Sequence, residues 1–234
     1  MLNEFWNGNC HDLIKNVPDN SVDLILTDPP YVLKKENWDK IDVFNDYLIS
    51  ELNRILKPTG SLYVWCGIGE RSQSLIRWYP KLEQSFHFKD LITWKKRRGI
   101  GMRKGWLYTR EEIMWWVKDN KQFLWKKEEQ YSNEVNQFKK GFKGTAVHPF
   151  KRITNVWTDI PETLGKKKNT SHATPKPHQS LERIIKAHTN EGDLVFDPFA
   201  GSGSTLISAK RLNRNYLGIE LNQDIYKETK NNLK

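Results

Sequence analysis

The stretch LVFDPFAGSGSTLISAKRLNRNYLGIELN, residues 194–222, decides the fold of this chain. Its pattern predicts a buried strand, a glycine turn, a helix and a second strand. Gly201 and Gly203 lie where the first strand gives way to the helix, so the backbone can turn tightly and approach a ligand without interference from a Cβ atom. The stretch therefore indicates a βα unit of a parallel sheet, with a helix N-terminus beside the turn.

The second strand of this unit ends in Glu220, an acid that could accept hydrogen bonds from ribose hydroxyls. Ser204 and Thr205 follow Gly203 and no third glycine comes directly after them, so a dinucleotide fingerprint is only half met. No lysine follows Gly203, which excludes a phosphate loop ending in Gly-Lys-Ser/Thr. On its own, the turn indicates a plain tight connection more often than a ligand site.

A second turn of unusual composition occurs in LTDPPYVLKK, residues 26–35, directly after an apolar run. Pro29 and Pro30 remove two N–H donors and hold the backbone extended, so the carboxylate of Asp28 and the nearby carbonyls are acceptors suited to a planar NH₂ group. Tyr31 offers a flat face on which a heterocycle can stack. A strand-ending turn with a capping Asp is the more common reading of such a tetrapeptide in isolation. The two turns would, however, share the carboxyl edge of one parallel sheet, where ligands of open α/β folds bind.

The rest of the chain alternates short apolar runs with amphipathic stretches, which predicts an α/β fold with a mainly parallel sheet. Residues 43–60 read as a helix ended by Pro58 and Gly60, and residues 172–192 contain another helix. The periodicity weakens at about 120–170, where we expect an inserted and partly irregular region. A length of 234 residues fits one domain with such an insertion. The remaining apolar runs read as strands are residues 22–28, 61–67, 88–96 and 112–118.

The positive charge of the chain is concentrated in its middle. The formal net charge is +10, and residues 95–168 hold 19 Lys and Arg against 8 Asp and Glu. This segment also carries interleaved aromatic side chains such as Trp106, Tyr108 and Trp125. A local basic and aromatic surface is typical of a protein that faces a polyanion, although charge alone fits a solvated basic face equally well.

Composition excludes several other classes. No apolar run approaches the roughly 20 residues that span a bilayer, so we expect no membrane association. The first residues show no secretory leader, and Cys10 and Cys66 are too few for a disulfide scaffold or a closed zinc site. We therefore expect a reduced, cytoplasmic protein without a bound metal.

The motifs together resemble one family, the amino-methyltransferases of DNA, which methylate the exocyclic amine of adenine or cytosine. The family tetrapeptide (D/N/S)PP(Y/F/W) is matched by residues 28–31, and the motif FxGxG is matched by Phe199, Gly201 and Gly203. The order of motifs is similar to that of the β class, with the catalytic motif first, the recognition region in the middle and the cofactor motif last. An HxTxKP element is matched in type at 172–177. The resemblance covers nearly the whole chain.

This resemblance implies a Rossmann-like S-adenosylmethionine-dependent methyltransferase fold: a mostly parallel sheet with helices on both faces, forming one catalytic domain over 1–234 with a target-recognition region inserted at about 120–170. The implied cofactor is S-adenosyl-L-methionine and the implied partner is double-stranded DNA. The catalytic residues it implies are Asp28, Pro29, Pro30 and Tyr31. The cofactor-binding residues it implies are Asn9, Cys10, Asp28, Thr174, Lys176, Asp197, Phe199, Ala200, Gly201, Ser202, Gly203, Ser204, Glu220 and Leu221. The basic side chains that we expect to bind DNA are Lys95, Lys96, Arg97, Arg98, Arg103 and Lys104.

One departure from the family pattern concerns the amino end. The family usually shows a GDxxxxL-like stretch against the cofactor adenine, whereas this chain reads GNCHDLI, with Asn9 where an Asp is expected. An amide can still donate and accept hydrogen bonds at that place. A further expectation concerns KKENWDK at 34–40, which is read either as a mobile lid over the target base or as an ordinary solvent loop.

The function that the resemblance implies is sequence-specific transfer of a methyl group to N6 of a flipped adenine, because an Asp at the first position of the tetrapeptide accompanies adenine more often than cytosine. N4-cytosine methylation, methylation of RNA or of a protein amide, and a non-catalytic nucleic-acid-binding module are the alternatives. Family members often pair, which leaves a homodimer open, and a cognate restriction endonuclease would be a functional partner.

Overall fold

A computed structural model describes residues 1–32, 42–69, 72–100, 104, 106–137, 147–162 and 175–233. The predicted lid at 34–40 and the predicted site residues Arg103 and Thr174 lie outside these ranges. Within the described chain, no helix is long and apolar enough to cross a membrane.

Strands and helices alternate along the chain as the sequence predicts for an α/β fold. The strands are β1 (Glu4–Asn7), β2 (Val22–Thr27), β3 (Leu56–Cys66), β4 (His87–Ile100), β5 (Tyr108–Val117), β6 (Tyr131–Val135), β7 (Phe150–Arg152), β8 (Val156–Trp157), β9 (Leu194–Asp197) and β10 (Asn215–Glu220). The helices are α1 (Cys10–Leu13), α2 (Asp46–Ile55), α3 (Ser74–Leu82), α4 (His178–His188), α5 (Ser204–Arg211) and α6 (Gln223–Asn232).

The main sheet has the strand order β1-β10-β9-β2-β3-β5-β4-β8. Its first five strands pair in parallel, β5 runs antiparallel between β3 and β4, and β8 joins β4 in parallel. The first five strands therefore present their carboxyl ends at one edge. Because β5 is antiparallel to β3, the turn between β4 and β5 lies at that same edge.

The sheet is buried on both faces, which explains why its central strands are apolar without a polar alternation. Successive residues of β2 point to opposite sides: Ile25 belongs to the core on one face, and Leu24 and Leu26 belong to the core on the other. Helices α1, α2 and α3 cover the first face, and α4, α5 and α6 pack on the second. The prediction of helices on both faces is thus confirmed.

The adjacent strands β9 and β2 lead the chain to opposite faces of the sheet. The turn after β9 enters α5 on one face, whereas the chain after β2 returns through α2 on the other. A crevice opens where neighbouring connections diverge in this way, and open α/β sheets bind their ligands at such a point. The two turns singled out by the sequence both follow these strands.

The predicted helix at 43–60 is too long. Helix α2 begins after Asn45, whose side chain accepts a hydrogen bond from the N–H of Leu48 (3.0 Å), and it ends at Ile55. The chain enters β3 at Leu56, which pairs with Val22, so Pro58 and Gly60 belong to a strand. The sheet register decides the helix end here, before the helix-breaking residues are reached.

The described residues between 120 and 162 contain three strands, where the weak periodicity predicts a partly irregular region. Strands β6 and β7 form a separate two-stranded antiparallel sheet, and β8 adds an edge strand to the main sheet by pairing with Thr93 and Trp94. The indole N–H of Trp94 also donates to the carbonyl of Ile160 (2.9 Å). These contacts join residues 156–160 to the main sheet.

Helix α3 (Ser74–Leu82) lies in a stretch to which the sequence analysis assigns no element.

The buried imidazole of His188, at the end of α4, packs and hydrogen-bonds against the sheet. His188 shares a hydrogen bond with the hydroxyl of Tyr63 (2.7 Å) and lies beside the carbonyl of Leu124 (2.8 Å), within a cluster that includes Trp115 and Trp125. Burial lowers the pKa of His188 to about 4. The ring is therefore neutral in the folded protein at physiological pH.

We predict that this histidine makes the fold sensitive to mild acid. With a folded pKa of about 4 against an ordinary value near 6.5, the unfolded state takes up the proton first as the pH falls from 6.5 to 4, so stability is lost over that window. Between about pH 7.5 and about pH 5 the wild type should lose about 2 kcal/mol more than His188→Gln. Urea titrations at both pH values measure this difference, and equal losses in the two proteins would contradict it.

Candidate active site

A hydrogen bond joins the ends of β2 and β9 at the crevice. The hydroxyl of Thr27, the last residue of β2, donates to a carboxylate oxygen of Asp197, the last residue of β9, over 2.9 Å. The residues that follow are the tetrapeptide beginning at Asp28 and the glycine turn ending at Gly203. The structure thus brings together the two motifs that the sequence predicts to share one edge.

The glycine turn has the left-handed backbone that glycine supplies without strain. Gly201 has φ of 51° and Gly203 has φ of 73°. The N–H of Gly201 donates to a carboxylate oxygen of Glu220 (2.9 Å), and its carbonyl accepts from the hydroxyl of Thr229 (2.9 Å). A Cβ atom on Gly203 would lie 2.5 Å from Cγ2 of Thr229. The turn is therefore closed by contacts from β10 and α6 that leave no room for a side chain.

The other predicted members of the glycine turn are Phe199, Ala200, Ser202 and Ser204. The N–H of Phe199 donates to Asp197 (3.1 Å), and the N–H of Ala200 donates to the carbonyl of Ile219 (2.9 Å). Ser202 and Ser204 share a hydrogen bond of 3.1 Å between their hydroxyls. Phe199, Ala200 and Ser202 lie in the short connection between β9 and α5, and Ser204 is the first residue of α5.

The carboxyl ends of β1 and β10 lie side by side next to this turn. Asn7 pairs with Glu220 in the sheet, and the N–H of Gly8 donates to the carbonyl of Glu220 (3.0 Å). Asn9 follows, and its side chain caps α1 by accepting from the N–H of His11 (3.0 Å). Asn9 therefore lies at the same edge of the sheet as Glu220, and the sequence predicts that both residues bind the cofactor.

Two further predicted residues at this end differ in exposure. Cys10 is buried, and burial raises the pKa of its thiol to about 12, so it is a neutral group. Leu221, by contrast, is exposed directly after Glu220. Glu220 is therefore followed by an exposed apolar side chain and lies near a buried neutral thiol.

The tetrapeptide presents a fixed carboxylate. The hydroxyl of Tyr31 donates to one oxygen of Asp28 (2.5 Å), and the ammonium of Lys176 contacts the other (2.9 Å). The backbone carbonyl of Tyr31 accepts from the guanidinium of Arg77 (3.0 Å). Burial and the neighbouring carboxylate raise the pKa of the Tyr31 phenol, so the phenol remains a donor. Asp28 is thus held on both of its oxygens, and its side chain is still about a third exposed at 35%.

Lys176 reaches the catalytic turn from the segment that precedes α4. Its ammonium contacts Asp28 and also Glu111 of β5, both at 2.9 Å. Burial opposes its charge, but the two carboxylates outweigh burial and raise the pKa of Lys176. The sequence prediction connects Lys176 to the cofactor, and its described contacts are with Asp28 and Glu111. The acid Glu111 belongs to no motif, and sequence reasoning missed it.

Asp197 is a buried carboxyl without a cationic partner among its described contacts. Its oxygens accept from Thr27 and from the N–H of Phe199, and Thr205 also donates to it. Burial raises the pKa of Asp197 to about 7 in spite of these donors, and the nearby charge of Asp28 adds to the effect. Such a carboxyl would gain most from a cationic group brought to the crevice.

The described members of the predicted DNA-binding set lie on the hairpin of β4 and β5, which extends beyond the catalytic edge. In the described pairing, β3 accompanies β5 only as far as Cys66 and Glu112, whereas β4 and β5 continue to Ile100 and Tyr108. Lys95, Arg97 and Lys104 are exposed there, Lys96 is half-buried against Glu111, and Arg98 lies in β4. This basic hairpin carries Trp106, which is 96% exposed.

Other features of the structure are separate from this site. A cavity of about 170 Å³ lies between α4 and the sheet, lined by residues that include Trp115, Trp157 and Arg183, and it includes none of the residues of the two turns. No group of three or more His, Cys, Asp or Glu side chains in the described ranges could hold a metal ion.

Comparison with known proteins places the chain among DNA methylases. The family model for N6/N4 DNA methylases matches residues 22–231. The Type II methyltransferase M.HpaI of Haemophilus parainfluenzae is 33% identical over 241 residues, which are 97% of this chain and 72% of the relative. The Type II methyltransferase M1.MboII of Moraxella bovis is 32% identical over 251 residues, which are 95% of this chain and 93% of that protein.

Solved structures share the fold. The M1.HpyAVI–SAM complex matches with a TM-score of 0.66 at 25% identity, over 98% of both chains. The PvuII DNA methyltransferase, described as cytosine-N4-specific, matches with a TM-score of 0.76 at 17% identity, over 98% of this chain and 86% of that one. The predicted Rossmann-like methyltransferase fold is confirmed.

The glycine turn generates a stability prediction. Gly203→Ala should destabilise the fold by about 2 kcal/mol, because alanine is strained at positive φ and its methyl group would meet Thr229. The double variant Gly203→Ala/Thr229→Ser removes Cγ2 but keeps the hydroxyl on the carbonyl of Gly201, so it should recover part of the loss. Thermal unfolding of both variants and of Thr229→Ser alone measures this, and no recovery would exclude the steric contact as a cause.

Proposed function

The chain belongs to the N6/N4 DNA methylase family, and from this membership we propose that it transfers a methyl group from S-adenosylmethionine to the exocyclic N6 of adenine in double-stranded DNA. One observation carries the proposal. The carboxylate turn at Asp28 and the glycine turn at Gly201 follow adjacent parallel strands, joined by the hydrogen bond between Thr27 and Asp197. An acceptor for an amine and a cradle for a nucleoside therefore face one crevice.

The residues around the glycine turn fit S-adenosylmethionine by their chemistry. Each oxygen of Glu220 already accepts one backbone N–H and keeps a second lone pair, which suits ribose hydroxyls. Asp197, buried and without a described cationic partner, suits the ammonium of the amino-acid part. Gly201 and Gly203 allow close approach of the backbone. The whole set that we propose for the cofactor is Asn9, Cys10, Asp28, Thr174, Lys176, Asp197, Phe199, Ala200, Gly201, Ser202, Gly203, Ser204, Glu220 and Leu221.

The target base must leave the duplex to reach this crevice, at a cost of a few kcal/mol in stacking and pairing. Tyr31, half-buried with its ring 6.0 Å from that of Trp78, is proposed to stack on the flipped base. Asp28 and the carbonyl of Pro29 are proposed to accept the two amine hydrogens. Pro29 and Pro30 keep this segment extended and without N–H donors, so the turn offers acceptors only.

The chemistry asks little of the protein beyond placement. When bound, S-adenosylmethionine would supply a methyl group on a sulfonium. The amine nitrogen would bond to that carbon in line as the carbon–sulfur bond breaks, the neutral thioether would leave, and the extra proton on nitrogen would pass to Asp28 or to water. By accepting both amine hydrogens, Asp28 and the carbonyl of Pro29 bring the nitrogen lone pair out of conjugation with the ring. Because the methylated nitrogen is strongly acidic, Asp28 need not be a strong base. Proximity and orientation then supply most of the rate enhancement.

Adenine is proposed over cytosine because the tetrapeptide begins with an acid. The carboxylate of Asp28 is a charged acceptor held in place by Tyr31 and Lys176. A charged acceptor binds an amine more strongly than the hydroxyl of a serine at the same position would. Both bases present an NH₂ group beside a ring nitrogen, so the identity of the product decides between them.

The basic hairpin is the proposed surface for DNA. Lys95 and Arg97 are exposed on β4, and Lys104 is exposed between β4 and β5. These strands extend beyond the crevice, where phosphates of a bound duplex would lie. Trp106 beside them can stack on a base or insert between base steps. Lys96, Arg98 and Arg103 complete the proposed set of basic residues.

Further proposals concern organisation and partners. We propose a single catalytic domain over 1–234, with the region at about 120–170 as an inserted target-recognition region. The Type II methyltransferases that the chain resembles make a cognate restriction endonuclease a proposed functional partner. A homodimer and a cytoplasmic location in a bacterial or phage-infected cell stay predictions.

Two substitutions should separate cofactor binding from methyl transfer. Asp28→Ala removes the proposed amine acceptor from a partly exposed turn, so methyl transfer from labelled S-adenosylmethionine to genomic DNA should fall at least about a thousandfold while the protein stays folded. Glu220→Ala should instead weaken cofactor binding, measured by calorimetry without DNA. Full activity of Asp28→Ala would make this turn structural only.

The same reaction identifies the target. Mass spectrometry of nucleosides from the treated DNA should find N6-methyladenine. N4-methylcytosine as the sole product would overturn the adenine proposal and leave the fold and the catalytic turn unaffected. Labelled RNA offered in parallel tests the RNA alternative.

The basic hairpin should determine the salt dependence of DNA binding. Replacing Lys95, Arg97 and Lys104 by Gln should reduce the slope of log Kd against log salt by up to roughly 0.9 for each phosphate that the variant no longer neutralises. The matched control replaces the exposed Lys15, Lys186 and Lys227, which removes the same charge elsewhere and should leave the slope nearly unchanged. Equal slopes in the two triple variants would move the DNA surface away from the hairpin.

A further inference from the structure

Four side chains of alternating charge run from the catalytic turn to the base of the basic hairpin. Asp28 contacts Lys176 (2.9 Å), Lys176 contacts Glu111 (2.9 Å), and the second oxygen of Glu111 accepts from Lys96. The family motifs include Asp28 and Lys176 but not Glu111, which lies on β5.

The two inner members of this row are the more deeply buried. The side chains of Lys176 and Glu111 are 14% and 17% exposed, against 25% for Lys96 and 35% for Asp28. The Lys176 ammonium also lies 4.7 Å from the ring centroid of Trp65. A cation in such a place requires anionic partners, because desolvation of an unpaired charge costs several kcal/mol.

The strands make Glu111 the rigid member of the row. It lies in β5, where it pairs with Trp94 of β4, and its neighbour Glu112 pairs with Cys66 of β3. Lys176 and Asp28, by contrast, belong to connections between elements. A carboxylate fixed by the sheet can therefore set the position of a lysine that the backbone of its own segment does not fix.

We propose that Glu111 is a positioning residue for methyl transfer, which acts through Lys176 to hold the Asp28 carboxylate in the orientation that accepts the target amine. This inference rests on the proposed function. Lys176 contacts one oxygen of Asp28 while the Tyr31 hydroxyl contacts the other, so the carboxyl plane is set by these two donors. Movement of Lys176 by a fraction of an ångström would rotate that plane away from the amine.

The charges of the four side chains support a positioning role for Glu111. Burial alone would lower the pKa of Lys176, and the carboxylates of Asp28 and Glu111 together raise it. Tyr31 and Cys66 also face this lysine, and burial raises the pKa of both, so they are neutral. Without the charge of Glu111, Asp28 would be the one carboxylate on Lys176 among the described residues. The ammonium would then move towards Asp28 and compete with the target amine for its oxygens.

The row also connects the catalytic turn to the DNA surface. Lys96 lies between the exposed side chains of Lys95 and Arg97 on β4. Lys96 and Lys176 share the carboxylate of Glu111. If a DNA phosphate drew Lys96 away, Glu111 would lose its contact with Lys96 and keep its contact with Lys176. The position of Asp28 would in this way depend on engagement of the hairpin.

The test compares Glu111→Gln with the wild type in single-turnover methylation at saturating cofactor and DNA. Gln keeps the size and one acceptor but removes the charge. We expect the rate of transfer at saturating cofactor to fall at least about tenfold, while the Kd for DNA stays within about twofold. The matched control is Glu51→Gln, which removes the charge from a partly buried ion pair with Arg54 (15% and 26% exposed) near the amino end of β2, and it should keep the wild-type rate.

A double-mutant cycle separates a positioning role from a structural one. If Glu111 acts through Lys176, then Glu111→Gln/Lys176→Met should be no slower than Lys176→Met alone. A transfer rate of Glu111→Gln within about threefold of wild type, or effects that multiply in the double variant, would overturn the inference. A wild type that methylates no DNA would instead overturn the proposed function, and the inference with it.

Discussion

The contact between β2 and β9 is the constraint on which the site depends. Both faces of the sheet are apolar, so the hydrophobic pattern of β2 does not by itself fix which residue opposes which in β9. Polar contacts at the two ends do so: Asp23 accepts from the N–H of Leu194 (2.9 Å), and Thr27 donates to Asp197 (2.9 Å). With the register fixed, the two turns must open into the same crevice, and a slip of one residue would turn Asp28 away from it.

Much of this arrangement follows from the sequence because it depends on local chemistry. The two turns are marked by residues that only special backbones require, the prolines after Asp28 and the glycines at 201 and 203. The apolar runs around them indicate a parallel sheet, whose carboxyl edge then holds both turns. The end of α2 is harder to predict from the sequence. The helix ends at Ile55 because Leu56 pairs with β2, and no helix-breaking residue stands at that point.

The parts that the sequence did not reveal depend on pairing between distant strands. Glu111 and Lys176 are 65 positions apart and meet only because β5 inserts antiparallel between β3 and β4. A single acid in a basic segment reads as one more surface charge until that strand order is known. The same holds for β8, whose residues Val156 and Trp157 complete the sheet from within a region without clear periodicity.

A buried row of charges contributes little net stability to a fold, because desolvation of the charges costs free energy. Replacement of a buried ion pair by apolar side chains of similar volume often leaves a protein as stable or more stable, so stability alone does not explain why Lys176 and Glu111 lie under the catalytic turn. What apolar side chains could not do is fix the orientation of a carboxylate that has to remain charged and partly exposed. Asp28 needs a cation behind it to stay oriented and open space before it to accept an amine. Lys176 provides this cation. Glu111 balances the positive charge of Lys176, which would otherwise be poorly compensated in the protein interior.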